Sequence, residues 1–229
     1  MMIPYNSFRF IFPTRPETAL PSSMLPSYEG GYLAQPKLNG DCMEVYTNGK
    51  EIIIMDRHKK VYKKVIPALL ASLRSLYRET LADGLVTNKW MVLVGEHMIK
   101  SQLGENGRVF NNKFVIHDIL VYDGMQLLGT TFEDRRILLD KIYGQDDTEL
   151  NDNGVTQYEH IYTTPAKDVY RVKTYYDCFP TLWTNLIKTG MYEGLVLKKI
   201  NAPLQHGLTE KNNSGGLVKF RKPTKNYTH

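Results

Sequence analysis

Ala34-Gln35-Pro36-Lys37-Leu38-Asn39-Gly40 is the stretch on which the reading of this chain turns. Before it, Gly31-Tyr32-Leu33-Ala34-Gln35 reads as a short strand leaving a Gly-Gly turn. After it, Cys42-Met43-Glu44-Val45-Tyr46-Thr47 alternates apolar and polar and ends at Asn48-Gly49, the signature of a type I′ hairpin. Lys37 is therefore expected in a tight connection between two strands, with Gly40 freeing the backbone to turn or to approach a ligand. A lysine held by sheet on both sides is well placed to act as a nucleophile once its amine is neutral. By itself a lysine followed by a nearby glycine is commonplace. What gives it weight lies downstream.

The 229 residues are 42% hydrophobic and 23% charged, ordinary globular composition. No apolar run approaches the roughly 20 residues that span a bilayer, and Met1-Met2-Ile3-Pro4-Tyr5 lacks the order of a secretory signal. Two cysteines far apart, Cys42 and Cys178, argue against a disulfide framework and for a reducing, cytoplasmic setting. The net charge of +5 is compatible with a polyanionic partner.

Residues 1–30, rich in proline and aromatics, read as an extended lead segment in which Arg15 is an exposed packing arginine rather than a phosphate ligand. Glu51-Ile52-Ile53-Ile54-Met55 reads as a buried strand ending at Asp56-Arg57-His58, which holds Arg57 in place. Lys59, Lys60, Lys63 and Lys64 are expected to open a helix running through Leu76-Tyr77 towards Gly84, with Pro67 limiting its start. Trp90–Val94 is a strand delivering Gly95-Glu96-His97, and Phe114–Tyr122 a second one, closed by Asp123-Gly124. Thr131-Phe132-Glu133-Asp134 opens a capped helix with Ile137, Leu138, Leu139 and Ile142 as its apolar face and Gly144 as its stop. Residues 145–157 read as a solvated acidic loop. A short strand (Val169–Val172) and a helix through Leu182–Ile187 follow. Tyr192-Glu193-Gly194-Leu195-Val196-Leu197-Lys198-Lys199 is a strand with an acid at its entry and lysines at its exit. Leu217–Lys222 is an edge-like strand whose Lys219 and Arg221 project to one side. Two such cations repel unless an anion lies between them, which points to a phosphate.

Lys37-Leu38-Asn39-Gly40, Asp56-Arg57-His58, Gly95-Glu96, Phe114–Leu120 with His117-Asp118, Glu193–Lys198 and Lys219-Phe220-Arg221 follow one another in this order. The order resembles the covalent nucleotidyltransferase superfamily, and within it the adenylation domain of ATP-dependent polynucleotide (DNA or RNA) ligases. The resemblance implies an α+β, ATP-grasp-like nucleotidyltransferase domain over residues 1–229, with two antiparallel sheets flanked by helices. The chain ends eight residues after Arg221, so no OB-fold domain is expected. A partner supplying an OB-type domain would complete such an enzyme.

It also implies roles. Lys37 is the nucleophile that takes AMP from ATP; Lys219 and Arg221 face the α-phosphate; Glu193 and Glu96 are the candidate Mg²⁺ ligands. Glu96 is a candidate for the ribose as well, Arg57 for the ribose or donor phosphate, Gln35 for the adenine edge. His117 stands where the family stacks a phenylalanine, and Lys198 completes the nucleotide-binding set. Asn39 departs from the usual aspartate of DNA ligases and capping enzymes, and Arg221 from the usual second lysine. The expected activity joins a 5′-phosphate to a 3′-hydroxyl with DNA favoured, as in a phage-like enzyme of DNA repair acting in a host cytoplasm. The alternatives are an RNA ligase, a GTP-dependent guanylyltransferase and a non-catalytic nucleic-acid-binding module.

Overall fold

Runs of β-branched and aromatic residues dominate this chain, and in the computed structural model, which describes residues 3–79, 89–100, 102–144, 158–210 and 212–223, they sort into two sheets. In chain order the elements are β1 (Ile3–Pro4), β2 (Arg15–Leu20), a 3₁₀ segment (Ser22–Tyr28), β3 (Tyr32–Leu38), β4 (Asp41–Thr47), β5 (Ile52–Asp56) and α1 (Pro67–Glu79). There follow β6 (Met91–Met98), β7 (Lys113–Tyr122), β8 (Met125–Gln126), α2 (Phe132–Tyr143), β9 (Ile161–Thr163), β10 (Val169–Val172), α3 (Phe179–Lys188), β11 (Tyr192–Lys199) and β12 (Asn213–Arg221). The larger sheet runs β1-β8-β7-β6-β4-β5, with β10 beside β7 and β9 beyond it; the smaller runs β2-β12-β11-β3. Both ladders are antiparallel at their centres, and each takes on one parallel pairing, β10 on β7 and β2 on β12.

Apolar spacing explains where the helices dock. In α1, Leu69, Leu73 and Leu76 lie on one stripe and are buried against the larger sheet. In α3, Phe179, Leu182, Trp183 and Leu186 do the same and join Leu195, Leu197 and Phe220 of the smaller sheet. The Thr131 hydroxyl accepts the Asp134 N–H while the Asp134 carboxylate accepts the Thr131 N–H, a complete capping box that starts α2. Gly144, at φ 73°, ends it.

Several expectations change. Lys37 belongs to β3 itself, and the connection after it, Asn39-Gly40, passes from the smaller sheet to the larger, since β3 and β4 are not neighbours. Asn48-Gly49 is not a type I′ turn: only Gly49 has positive φ, and the loop runs over residues 48–51 with Asn48 Oδ1 accepting the N–H groups of Lys50 and Glu51. The type I′ geometry sits instead at Asp123-Gly124, φ 50° and 72°, between β7 and β8. The lysines at 59–64 are not helical: Lys60 and Tyr62 return hydrogen bonds to β5, and α1 begins at Pro67, where the missing N–H costs nothing. The expected stop at Gly84 and the acidic loop at 145–157 lie outside the described residues. In α2 the buried stripe is Phe132, Arg135, Leu139 and Tyr143, and Ile137 is half exposed, because Arg135 finds a carboxylate inside. β12 is not an edge, because residues 15–20, expected to be part of a lead segment, pair with it as β2. Among the described residues no helix is long and apolar enough to cross a membrane.

Candidate active site

A cleft of about 1050 Å³ opens between the two sheets, and all nine residues singled out from the sequence line it: Gln35, Lys37, Arg57, Glu96, His117, Glu193, Lys198, Lys219 and Arg221. Strand register explains the wall formed by the smaller sheet. Lys37 on β3 and Arg221 on β12 both pair with Gly194 of β11, and one step along Gln35 and Lys219 both pair with Val196. Side chains two residues apart share a face, so these four project together into the cleft.

Glu193 would point to the opposite face if β11 were regular. It does not, because the ladder slips between Tyr192 and Gly194, and Gly194 takes φ 147°. A Cβ at Gly194 would meet the Phe220 carbonyl oxygen at 2.1 Å and the Trp183 ring at 2.5 Å, so only glycine allows the irregularity. The Glu193 carboxylate is thereby turned between two cations, accepting from Lys37 Nζ at 2.6 Å and from Arg221 Nη2 at 2.8 Å. Lys219 and Arg221 were expected to need a shared phosphate between them; Arg221 has this carboxylate instead. Lys219 makes no ion pair among the described residues, so its charge is available to a ligand.

The larger sheet supplies the opposite wall. Glu96 on β6 accepts the Gly40 N–H at 3.2 Å, which fixes the crossing between the sheets. A Cβ on Gly40 would lie 2.5 Å from the His97 carbonyl oxygen, so this approach also requires glycine. Behind it the Tyr62 hydroxyl bridges His97 Nδ1 (2.9 Å) and Asp41 Oδ2 (3.2 Å), and Lys64 pairs with Asp41. Arg57 is exposed on the turn after β5, against the expectation that the strand end would hold it; its Nε reaches His58.

His117 and Asp118, at an irregularity in the β6–β7 register, turn in opposite directions. Asp118 is buried and receives two hydrogen bonds from Arg135, at 2.8 and 3.1 Å. Arg135 also donates to the Thr130 and Thr131 carbonyls. Against the upward push of burial, the Arg135 guanidinium and the Lys198 ammonium hold the Asp118 carboxyl down at about 2. Lys198, buried, donates to the His117 carbonyl at 2.9 Å; desolvation lowers its ammonium to about 8, against the pull of Asp118. Burial, with Lys198 beside it, keeps the His117 imidazole neutral, well below its ordinary value. Gln35 donates to Thr174 Oγ1 at 3.1 Å, while its Oε1 is sheltered and has no hydrogen-bond partner among the described residues.

Arg135 and the Tyr62–His97–Asp41 set were not anticipated from sequence. The one available signal for Arg135 was an arginine falling on the buried stripe that the capping box sets in register.

Two carboxyls carry raised proton affinity. Burial, with Asp56 nearby, pushes Glu44 up to about 8, and burial together with Glu193 pushes Glu96 up to about 7, from 4.5. A carboxyl whose folded-state value is raised binds more protons folded than unfolded. The stability it contributes is full below about pH 4.5 and is lost as the pH rises through about 7 to 8. The melting temperature is therefore expected to fall across that window, and Glu44→Gln to flatten the slope. Thermal melts against pH measure this; the same slope in variant and wild type would refute the assignment.

Magnesium is the metal expected here, and the donors fit it. Two carboxylates, Glu193 and Glu96, enter the same cleft beside Lys37, a hard oxygen set of the kind Mg²⁺ takes with substrate phosphates. Burial is the main cause of the raised value of Glu96, with Glu193 adding to it, and a bound cation would favour the ionised form of both acids.

Residues 18–220 match the family model described as the ATP dependent DNA ligase domain. A search of curated proteins finds no match. Among solved structures, the ligase domain of LigD from M. tuberculosis superposes with a TM-score of 0.58 at 20% identity, covering 93% of this chain and 61% of that one. A mycobacterial DNA ligase D complexed with ATP and MES gives 0.56 at 21%, covering 93% and 62%. A Lig E DNA ligase, described as binding DNA with a minimal scaffold, gives 0.51 at 15%, covering 90% and 68%. This chain thus spans about three fifths of the length of the LigD structures. At these identities the likeness is one of fold.

Proposed function

The chain belongs to the ATP-dependent DNA ligase domain family, and from that premise we propose that it is the adenylation domain of an ATP-dependent polynucleotide ligase, with Lys37 as its nucleophile and residues 1–229 acting as one domain. The observation that carries this reading is the row in which Lys37, Glu193 and Arg221 touch while Gln35 and Lys219 stand one step along the same face.

In the first step Lys37 Nζ, having passed its proton to solvent or to Glu193, attacks the α-phosphorus of ATP. An N–P bond forms, the bond to the bridging oxygen of the β-phosphate breaks, and pyrophosphate leaves. Negative charge builds on the α-phosphate oxygens, and Lys219, which lines the same cleft and makes no ion pair among the described residues, is suited to stabilise it. Arg221 holds Glu193 in place and adds a second cation at the edge of the same row. Gln35 Oε1, an acceptor without a donor, suits the exocyclic amine of adenine and disfavours the carbonyl that guanine presents there. The neutral His117 ring is suited to stack on the base. Mg²⁺, held by Glu193 and Glu96, would supply charge neutralisation on phosphate oxygens. In the second step the 5′-phosphate of a strand displaces Lys37 from the AMP phosphorus, giving a pyrophosphate-linked AMP-strand. In the third a 3′-hydroxyl attacks that 5′-phosphorus and AMP leaves.

The family supports DNA as the strand joined. Sealing of nicked DNA, nicked RNA and single strands with ATP and Mg²⁺ tests it: nicked DNA is expected to be sealed fastest. Preference for nicked RNA would reassign the substrate, and no covalent adenylylation at all would leave only a binding module.

A further inference from the structure

We propose that Glu105, Glu159 and His160 form a metal site outside the cleft, one that takes a first-row divalent cation of the zinc type and ties the hairpin after β6 to the entry of β9. The proposal is independent of the ligase reading, because neither ATP nor a strand enters it.

Among the described residues these three bring metal-ligating atoms within 4.8 Å of one another. Glu105 sits in the hairpin that follows β6, where the Phe110 N–H returns to the Gln102 carbonyl and the Gly104 N–H to that of Arg108. His160 immediately precedes β9 and is 4% exposed, while the Glu159 side chain beside it is open to solvent. The His160 ring packs against those of Tyr175 and Tyr192, with centroids 5.8 Å away in each case, and its Nδ1 lies 2.7 Å from the Tyr175 hydroxyl. With Nδ1 donating there, the Nε2 lone pair is left over. Nε2 makes no hydrogen bond among the described residues, and Glu159 Oε2 stands 3.8 Å from it. Of the two buried imidazoles, His97 has its Nε2 sealed from the surface and His160 does not.

A ring held through one nitrogen with the other free is the arrangement of a ligand imidazole, whose second N–H characteristically goes to a fixed partner. Glu105 still has room for a metal. Its carboxylate accepts the Tyr192 hydroxyl and the N–H groups of Glu159 and His160, three donors for about four lone-pair sites. Zn–N and Zn–O bonds of about 2.0–2.2 Å put neighbouring ligand atoms roughly 3.3–3.6 Å apart. Glu159, being exposed, has only a short distance to close. One imidazole with two carboxylates suits Zn²⁺ with water in the fourth position, whereas Mg²⁺ and Ca²⁺ take oxygen alone. The supporting tyrosines reach the strands of the candidate active site. Tyr192 opens β11 one residue before Glu193, and the Tyr175 backbone exchanges hydrogen bonds with Ala34 of β3, at 2.7 and 2.9 Å. The ion is therefore a staple behind both strands and takes no part in the chemistry.

The test titrates the chelator-treated full chain with Zn²⁺ by calorimetry in excess Mg²⁺, which occupies the cleft carboxylates without competing for an imidazole. Wild type is compared with His160→Gln, Glu159→Gln and His58→Gln. One Zn²⁺ per wild-type chain is expected, with the melting temperature raised by roughly 5–11 °C at about 100 times the dissociation constant. Losing a supporting partner of a metal ligand costs about 10–100-fold in affinity, so removing a ligand itself, in His160→Gln or Glu159→Gln, should weaken binding by at least about 10-fold. His58→Gln, at the exposed His58–Glu210 pair, should leave binding as in wild type. The exposed position of Glu159 lets its glutamine variant fold normally, which keeps the test decisive should His160→Gln unfold. Absence of saturable Zn²⁺ binding, undiminished binding in Glu159→Gln, or loss of binding in His58→Gln would overturn the site. Labelling of Lys37 by ATP is read separately, so failure of the metal site and failure of the ligase reading are distinguishable.

Discussion

Lys37→Ala is expected to take no label from α-labelled ATP, and Lys37→Arg to take none either. The alanine variant removes the amine that pairs with Glu193 beside Arg221, and leaves Lys219, one step along the row, in place. The arginine variant keeps the charge that pairs with Glu193 but replaces an amine that can give up a proton with a guanidinium that stays protonated. Loss of a nucleophile in other covalent enzymes costs on the order of 10⁴-fold or more. Sealing of a nick with supplied ATP should fall together with the label, whereas sealing of a pre-adenylylated nick, which needs no bond to Lys37, should fall far less. That contrast separates loss of the nucleophile from loss of the fold.

The second large effect concerns stability. Arg135→Met should lower the melting temperature by roughly 6–20 °C. Arg135 is 1% exposed, and its guanidinium is wholly engaged with Asp118 and the carbonyls that open α2. Removing one member of a buried pair leaves the other charge without compensation, a loss of about 3–5 kcal/mol. For a chain of this size each kcal/mol corresponds to about 2–4 °C. The surviving Asp118 would still face Lys198, so the loss is expected at the lower part of the range if the Lys198 ammonium can turn towards it. Adding Asp118→Leu to Arg135→Met should recover part of the stability, because no orphaned carboxylate then remains. Calorimetric melts of the two variants decide this; a fall of less than about 2 °C for Arg135→Met would mean that the pair is not the joint between α2 and β7.

Much of this site was legible in sequence because each functional residue sits in a short local pattern with its own physical cause. The Glu193-Gly194 pair marks a strand irregularity that only glycine permits, and Lys219-Phe220-Arg221 marks a strand whose alternate residues share a face. Gly40, three residues after Lys37, marks a close approach of backbone to the next strand. What local pattern could not reveal is pairing across distance. Arg15 read as an exposed packing residue because its strand partner, β12, lies nearly 200 residues further on. The sheet change at Asn39-Gly40 was invisible for a related reason: alternation identifies β3 and β4 as strands without saying that they belong to different sheets. Arg135 was missed because a buried arginine contradicts the apolar stripe expected of a helix, and its partner Asp118 belongs to a distant strand. The lysines at 59–64 misled in the opposite sense. Their composition suits a helix, but Lys59 takes φ 64° and the chain folds back on β5 before Pro67 starts α1.

The protein is incubated with ATP and Mg²⁺, denatured and digested, and the peptide containing residue 37 is weighed by mass spectrometry. This peptide alone is expected to gain the mass of one adenylyl group, through an acid-labile bond to the Lys37 amine. An adenylyl group found on another residue, or none on any peptide while nicked strands are nonetheless sealed, would contradict it.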